Sequence, residues 1–226
     1  MNRLSIIKTL MQQKKLSNYL EIGVNNGHVF FRVNSTFKLA VDPEFTFDTA
    51  RKIGKTIVNP YNIFNRYYSK TSDAFFEEDA PEVLSQKKVQ LALVDGLHEY
   101  AFALRDVENT LQYLSSDGVI IMHDCNPQTK EEAGTFEEWR IRGNGQWNGD
   151  VWKAVLHLRS TRNDINVFVL DCDQGLGIVT KGKPENMLKF SQPEIRALSY
   201  EQLSDNRKTW LNLKPADYFY DYFGLR

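Results

Sequence analysis

The chain has 226 residues, 28 Lys and Arg against 29 Asp and Glu, a formal net charge of −1 and 42% hydrophobic residues. That size and apolar content suit one decorated domain spanning residues 1–226, and the balanced charge argues against nucleic acid or an anionic membrane as a partner. Two cysteines, Cys125 and Cys172, make no disulfide framework and point to the cytoplasm. No apolar run reaches the length of a membrane span, and residues 1–15 lack the apolar core and cleavage site of a signal peptide.

Leu4, Ile7, Met11 and Leu16 recur at helical spacing and predict an amphipathic first helix over 4–16. A strand over 18–22 follows, then a glycine turn and a short helix carrying Val29, Phe30 and Phe31. A second strand is expected over 37–41, a helix over 47–57 stopped before Pro60, and a short strand over 66–69. The run Ser72 to Glu77 reads as a capped helix start. Val89 to Val94 is apolar apart from Gln90, as in a strand covered on both faces. Phe102, Leu104, Val107, Leu111 and Leu114 make a strong amphipathic helix, and Asp117-Gly118 turns into a strand over 119–122. Residues 126–150 break the rhythm, with Pro127, four glycines, Trp139 and Trp147. A loop this long in a compact domain is functional or disordered. A helix over 151–158 resumes the pattern. Strands over 165–170 and 177–181 then form an antiparallel hairpin around Asp173-Gln174-Gly175, at the sheet edge. A helix from Ser199 leads to an aromatic tail, Tyr218 to Phe223, too apolar to stay in water, which docks either on the core or on a second copy in a homo-oligomer.

Strands alternating with helices imply an α/β fold, a doubly wound and mostly parallel sheet of seven strands with an antiparallel C-terminal hairpin. Four strands end in acids: Glu21, Asp42, Asp95 and Asp124. Open α/β sheets bind ligands at their carboxyl edge. Acids converging there suit a cofactor that carries hydroxyls and a positive charge, or a metal.

The order of these pieces resembles the class I S-adenosylmethionine-dependent methyltransferases. Asp95-Gly96-Leu97-His98-Glu99-Tyr100 and His123-Asp124-Cys125-Asn126 resemble the DGxHxY and HDxN motifs of its small-molecule and sugar O-methyltransferase branch, and the resemblance spans residues 17–182. Two departures stand out. Asn25 replaces a glycine of the first loop, and the G-x-G-x-x-G spacing of nicotinamide enzymes is missing.

The resemblance implies S-adenosylmethionine as cofactor. Gly23 and Gly27 would let the backbone approach it, Glu21 would orient its methionine end, and Asp42 would accept both ribose hydroxyls unless it simply caps a helix. Ser72, with Thr71 and Asp73, would lie beside the adenine, and Asp95 would complete the cofactor and catalytic sets. His98 is the candidate general base for a hydroxyl acceptor, a sugar or other small polyol; alternatively it bonds to Asp124 or to a backbone carbonyl. Asp95, Asp124 and Asn126 would offer oxygens to Mg²⁺, with Asn126 displaced by one residue because Cys125 follows Asp124. His123 should point away from Asp124 by strand alternation. Tyr100, Trp139, Trp147 and Trp152 either form a lid or pin the loop. Arg140 and Arg142 either meet an anionic acceptor or face solvent. Two rival functions remain open, a non-catalytic cofactor-binding or protein-interaction module and a nicotinamide-dependent oxidoreductase.

Overall fold

The computed structural model describes residues 1–225. In chain order the elements are α1 (Arg3–Gln13), β1 (Asn18–Ile22), β2 (Phe37–Val41), α2 (Thr49–Val58), β3 (Asn65–Tyr68), α3 (Ser72–Glu78), α4 (Ala80–Val83), β4 (Val89–Val94), α5 (Tyr100–Tyr113) and β5 (Leu114–Met122). They continue with α6 (Phe136–Arg142), α7 (Trp152–Thr161), β6 (Ile165–Leu170), β7 (Leu176–Lys181), α8 (Gln192–Ala197), α9 (Tyr200–Trp210), β8 (Leu213–Lys214) and α10 (Tyr218–Phe223). The strands run in the order β3-β2-β1-β4-β5-β7-β6-β8. Among the described residues the sheet therefore has eight strands, not seven. The chain gathers into two compact units, one of residues 2–96 and 105–119, the other of residues 97–104 and 120–225 with Met1.

In the first unit, β1 pairs in parallel with β2 and with β4, and β2 with β3. The strands β2 and β4 are apolar on both faces, which is what a covered parallel sheet requires. One charge is nevertheless buried in β2. The Lys38 ammonium donates to the Phe30 and Val33 carbonyls and to Asn62 Oδ1, at 2.8, 2.9 and 2.9 Å. Three acceptors match its three protons, so the cation ties β2 to two neighbouring 3₁₀ turns. Burial still lowers its pKa to about 7. Helix α1 starts on an Asn2/Ser5 capping box and buries Ile6, Ile7, Leu10 and Met11. It ends before Leu16, where Lys15 adopts a left-handed φ of +53°. Asp48 caps α2, whose buried face is missing: none of its residues is buried.

In the second unit, β6 and β7 form the expected antiparallel hairpin. Its turn takes three successive left-handed residues, Asp173, Gln174 and Gly175. The hairpin is not the sheet edge, because the chain returns and pairs Leu213 of β8 with Val169 of β6 in parallel. Arg159 of α7 is buried and donates to the Thr209 and Trp210 carbonyls at 2.7 and 2.5 Å, satisfying the C-terminus of α9. The aromatic tail packs inside this unit. Phe219 is fully buried, Tyr218 and Tyr222 bracket Phe168 at 5.3 and 4.7 Å, and the Tyr222 hydroxyl meets Asn166 and Thr180. Among the described residues no helix is long and apolar enough to cross a membrane.

Candidate active site

The first unit carries the expected cofactor residues at the carboxyl ends of β1, β2 and β4. The chain leaves β1 through Gly23 at φ +80°. A Cβ there would lie 2.0 Å from the Asp95 carbonyl, so only glycine lets the loops after β1 and β4 pass this closely. Asn25 adopts φ +47°, the left-handed conformation that Asn tolerates, and Gly27 closes the turn by donating to the Val24 carbonyl at 2.8 Å. Asp42 is buried and accepts one backbone N–H on each oxygen, from Asn25 at 2.7 Å and from Glu44 at 2.8 Å. Its carboxylate therefore shapes the loop, and each oxygen keeps lone-pair capacity for a ribose hydroxyl.

Glu21 is buried, and the Tyr19 hydroxyl donates to its Oε2 at 2.6 Å. Burial raises its pKa from 4.5 to about 8, against the lowering effect of the Tyr19 hydrogen bond. It is mostly neutral at pH 7, and an arriving cation would favour its ionisation. Asp95 is half-buried, with the Arg3 guanidinium 3.4 Å away. Thr71, not Ser72, caps α3, accepting from Ala74 N at 3.3 Å. Ser72 instead hydrogen-bonds the buried Asp106, whose pKa burial raises to about 7. Asp106 Oδ1 has no partner. This acid was not among the expected site residues. The only trace it leaves in the sequence is an acid on the apolar face of α5, between Ala103, Leu104, Val107 and Thr110, all buried.

The second unit carries the candidate acid–base group. Asp124 ends β5 in a left-handed conformation, φ +60°, a strained state for a non-glycine residue and one that clusters at functional sites. Its Oδ2 lies 3.2 Å from His98 Nε2 and 2.6 Å from His123 Nδ1. Strand alternation would send His123 away from Asp124; the left-handed turn swings the carboxylate back to meet it. His123 Nε2 lies 3.6 Å from Asp173. His98 Nδ1 is 2.7 Å from the Trp147 carbonyl, which can only accept, so Nδ1 carries the proton and Nε2 faces the acid. Both bonding alternatives expected for His98 are thus realised together.

The 126–150 loop is an ordered strap. Helix α6 begins on a Thr135/Glu138 capping box and ends at Gly143. Arg142 donates to the carbonyls of Glu131, Asn144 and Gln146, and Arg140 pairs with Glu137, so both arginines serve the loop itself. Trp147 stacks on His98 at 5.0 Å, and Trp139 on Trp147 at 5.7 Å. A Cβ on Gly149 would sit 1.7 Å from the His98 carbonyl, so glycine is required where the strap crosses the histidine. Tyr100 and Trp152 are buried core residues; the Tyr100 hydroxyl is 2.7 Å from His157 Nδ1.

Asn126 is committed elsewhere. Its Oδ1 accepts from Arg207, and its Nδ2 donates to Asp171 at 3.1 Å. With Asp124 Oδ2 shared by two imidazoles and the Asn126 carbonyl held by a guanidinium, this arm does not fit an oxygen-ligated Mg²⁺ as placed. Neither cysteine forms a disulfide.

The chain is similar to known proteins in part of its sequence and in its fold. Residues 20–125 match the family described as a methyltransferase domain. No curated protein matches the chain significantly. Among solved structures, the O-methyltransferase of tomaymycin synthesis from Streptomyces achromogenes, crystallised with S-adenosylmethionine, aligns at TM-score 0.58 and 10% identity, covering 79% of each chain. An O-methyltransferase from Bacillus cereus, bound to S-adenosylhomocysteine, aligns at 0.56 and 12% over 79% of this chain and 80% of that one. A caffeoyl-CoA O-methyltransferase-like protein from Staphylococcus aureus aligns at 0.51 and 16% over 80% and 85%. At such identities the structural likeness speaks to fold. Residues 20–125 are thus similar to a methyltransferase domain, and the chain shares its α/β fold with solved O-methyltransferases.

Proposed function

We propose that the chain transfers a methyl group from S-adenosylmethionine to a hydroxyl of a small molecule, a sugar or other polyol. The observation that carries this reading is the His98 geometry. Its Nδ1 is pinned by the Trp147 carbonyl and its Nε2 lies 3.2 Å from Asp124, so the ring is oriented and its proton-accepting nitrogen is held beside an acid. In this reading Gly23 and Gly27 admit the cofactor, Asp42 accepts its ribose hydroxyls, Glu21 faces its cationic end, and Ser72 with Asp106 lines the adenine side. When bound, the cofactor supplies an electrophilic methyl group. His98 stands three residues after Asp95 on the loop leaving β4. The acceptor's hydroxyl takes the place of Asp124 at Nε2 and gives its proton to that nitrogen, and Asp124, moved alongside, stabilises the resulting imidazolium. Trp147, stacked between His98 and Trp139, holds the histidine ring in place.

The steps use no metal. Mg²⁺ on Asp95, Asp124 and Asn126 would require Arg207 to release Asn126, and turnover with and without a chelator tests whether the reaction needs the metal. Turnover of S-adenosylmethionine against a panel of polyols, with Glu- or Gln-substituted His98, tests the reading. Loss of turnover in His98→Gln with cofactor binding intact supports it. An unchanged function in that variant favours a non-catalytic module, and a nicotinamide-linked absorbance change without affinity for S-adenosylmethionine favours an oxidoreductase.

A further inference from the structure

Helix α1 buries one stripe, Ile6, Ile7, Leu10 and Met11. Arg3 stands three and four residues before Ile6 and Ile7, so the same stripe opens on a charge in its first turn. The Asn2/Ser5 capping box fixes that turn. The Arg3 side chain is 27% exposed, and its Nε lies 3.4 Å from Oδ2 of Asp95, whose side chain is 16% exposed. Asp95 in turn is locked to the glycine turn after β1. Its N–H donates to the Ile22 carbonyl at 2.9 Å, and its own carbonyl is the atom that Gly23 approaches. The first turn of α1 therefore carries a guanidinium to the carboxyl ends of β1 and β4.

Two cations act on the buried Glu21, Lys38 and Arg3. Lys38 is buried in β2 with each of its three protons on an oxygen, so it has none to offer a ligand. His28 also feels the Arg3 charge, but burial and Arg32 lower its pKa, so it is no cation at pH 7. Arg3 is left as the positive group at this edge, and its planar fork of N–H donors suits a carboxylate.

The methionine end of S-adenosylmethionine carries an ammonium and a carboxylate on one carbon. Glu21 and Asp95 answer the first charge and would repel the second. We propose that Arg3 binds the carboxylate of the cofactor, so that α1 completes the site that the loops after β1 and β4 begin. This inference rests on the methyltransferase reading. Asp95 holds the guanidinium in place, and the guanidinium in turn screens the ligand's carboxylate from Asp95. A charge-assisted pair of this kind selects ligands by their carboxylate.

Calorimetric titration of the full chain with three ligands tests the proposal. They are S-adenosylhomocysteine, its decarboxylated analogue, which keeps the ammonium, and 5′-methylthioadenosine, which lacks both charges. Arg3→Gln is expected to weaken S-adenosylhomocysteine at least tenfold and to leave methylthioadenosine unchanged. The decarboxylated analogue should bind this variant as well as wild type or better, because Asp95 then faces the ammonium without a competing cation. Arg3→Lys, which keeps the charge and loses the fork, should fall between the two on S-adenosylhomocysteine. Both variants retain the Asn2/Ser5 box, and their thermal transitions without ligand should match wild type. An Arg3→Gln variant that binds S-adenosylhomocysteine as wild type does overturns the proposal. So does one that weakens all three ligands alike, since Arg3 would then only brace the loop. A wild type that binds none of the three overturns the methyltransferase reading itself, and the proposal with it.

Discussion

Glu21→Gln tests whether the acid under the first loop is held neutral by burial. Glu21 is 2% exposed, and burial raises its pKa from 4.5 to about 8. The native state therefore keeps a proton that the unfolded chain releases near pH 4.5. For a group whose folded pKa is raised, the stabilising contribution is complete below the unfolded pKa and is lost as pH rises towards the folded one. Between pH 5 and 7 the loss integrates to roughly 2.5 kcal/mol, at up to about 1.4 kcal/mol per pH unit. Lys38, with a folded pKa of about 7, begins to lose its proton at the top of this window, but it does so in both proteins, so the comparison of the two isolates Glu21. Asp106, raised to about 7, adds a slope of the same sign to both proteins. Glutamine keeps an acceptor for the Tyr19 hydroxyl and removes the ionisation. Urea unfolding at pH 5, 6 and 7 should therefore show the stability of Glu21→Gln relative to wild type growing by roughly 2.5 kcal/mol across the window. A difference that stays constant within about 0.5 kcal/mol would refute the buried, neutral acid.

The other expectations follow the same geometry. Gly23→Ala sets a methyl group 2.0 Å from the Asp95 carbonyl at a positive φ; a loss of about 3 kcal/mol or more in denaturant unfolding is expected, and a loss under 1 would contradict the close crossing. Asp42→Asn places an amide against two backbone N–H donors and should weaken S-adenosylhomocysteine at least tenfold by calorimetry while lowering stability by about 1–3 kcal/mol. His98→Gln should lower turnover by about 10²–10⁴ with the cofactor dissociation constant unchanged; near-wild-type turnover would remove His98 as the base. Phe219→Ala, in the buried tail helix, should cost about 3–5 kcal/mol by urea unfolding if the tail packs on its own unit.

Periodicity made the sheet legible because parallel strands buried on both faces have to be largely apolar, as β4 is apart from the half-buried Gln90. The turns were legible where backbone geometry restricts residue type, as at Gly23 and Asp173-Gln174-Gly175. Other features depend on distant parts of the chain. Lys38 reads as a fault in a strand until the Phe30, Val33 and Asn62 oxygens surround it. Alternation misplaced His123 because it assumes extended backbone, and Asp124 is left-handed. The eighth strand, Leu213–Lys214, is too short to leave a periodic signal. Helix α2 shows an amphipathic pattern, but a pattern does not say that a face is covered, and none of its residues is buried. The motifs marked Asp124 and Asn126 as neighbours in sequence. That Asn126 is held by Arg207, 81 residues later, was beyond any local reading.

In the proposed function the loop after β1, closed by Asp42, holds S-adenosylmethionine. Calorimetric titration with S-adenosylhomocysteine, run in parallel with a nicotinamide dinucleotide, tests this binding. Saturable binding of the first and none of the second is expected. Heat from the dinucleotide with none from S-adenosylhomocysteine would contradict it.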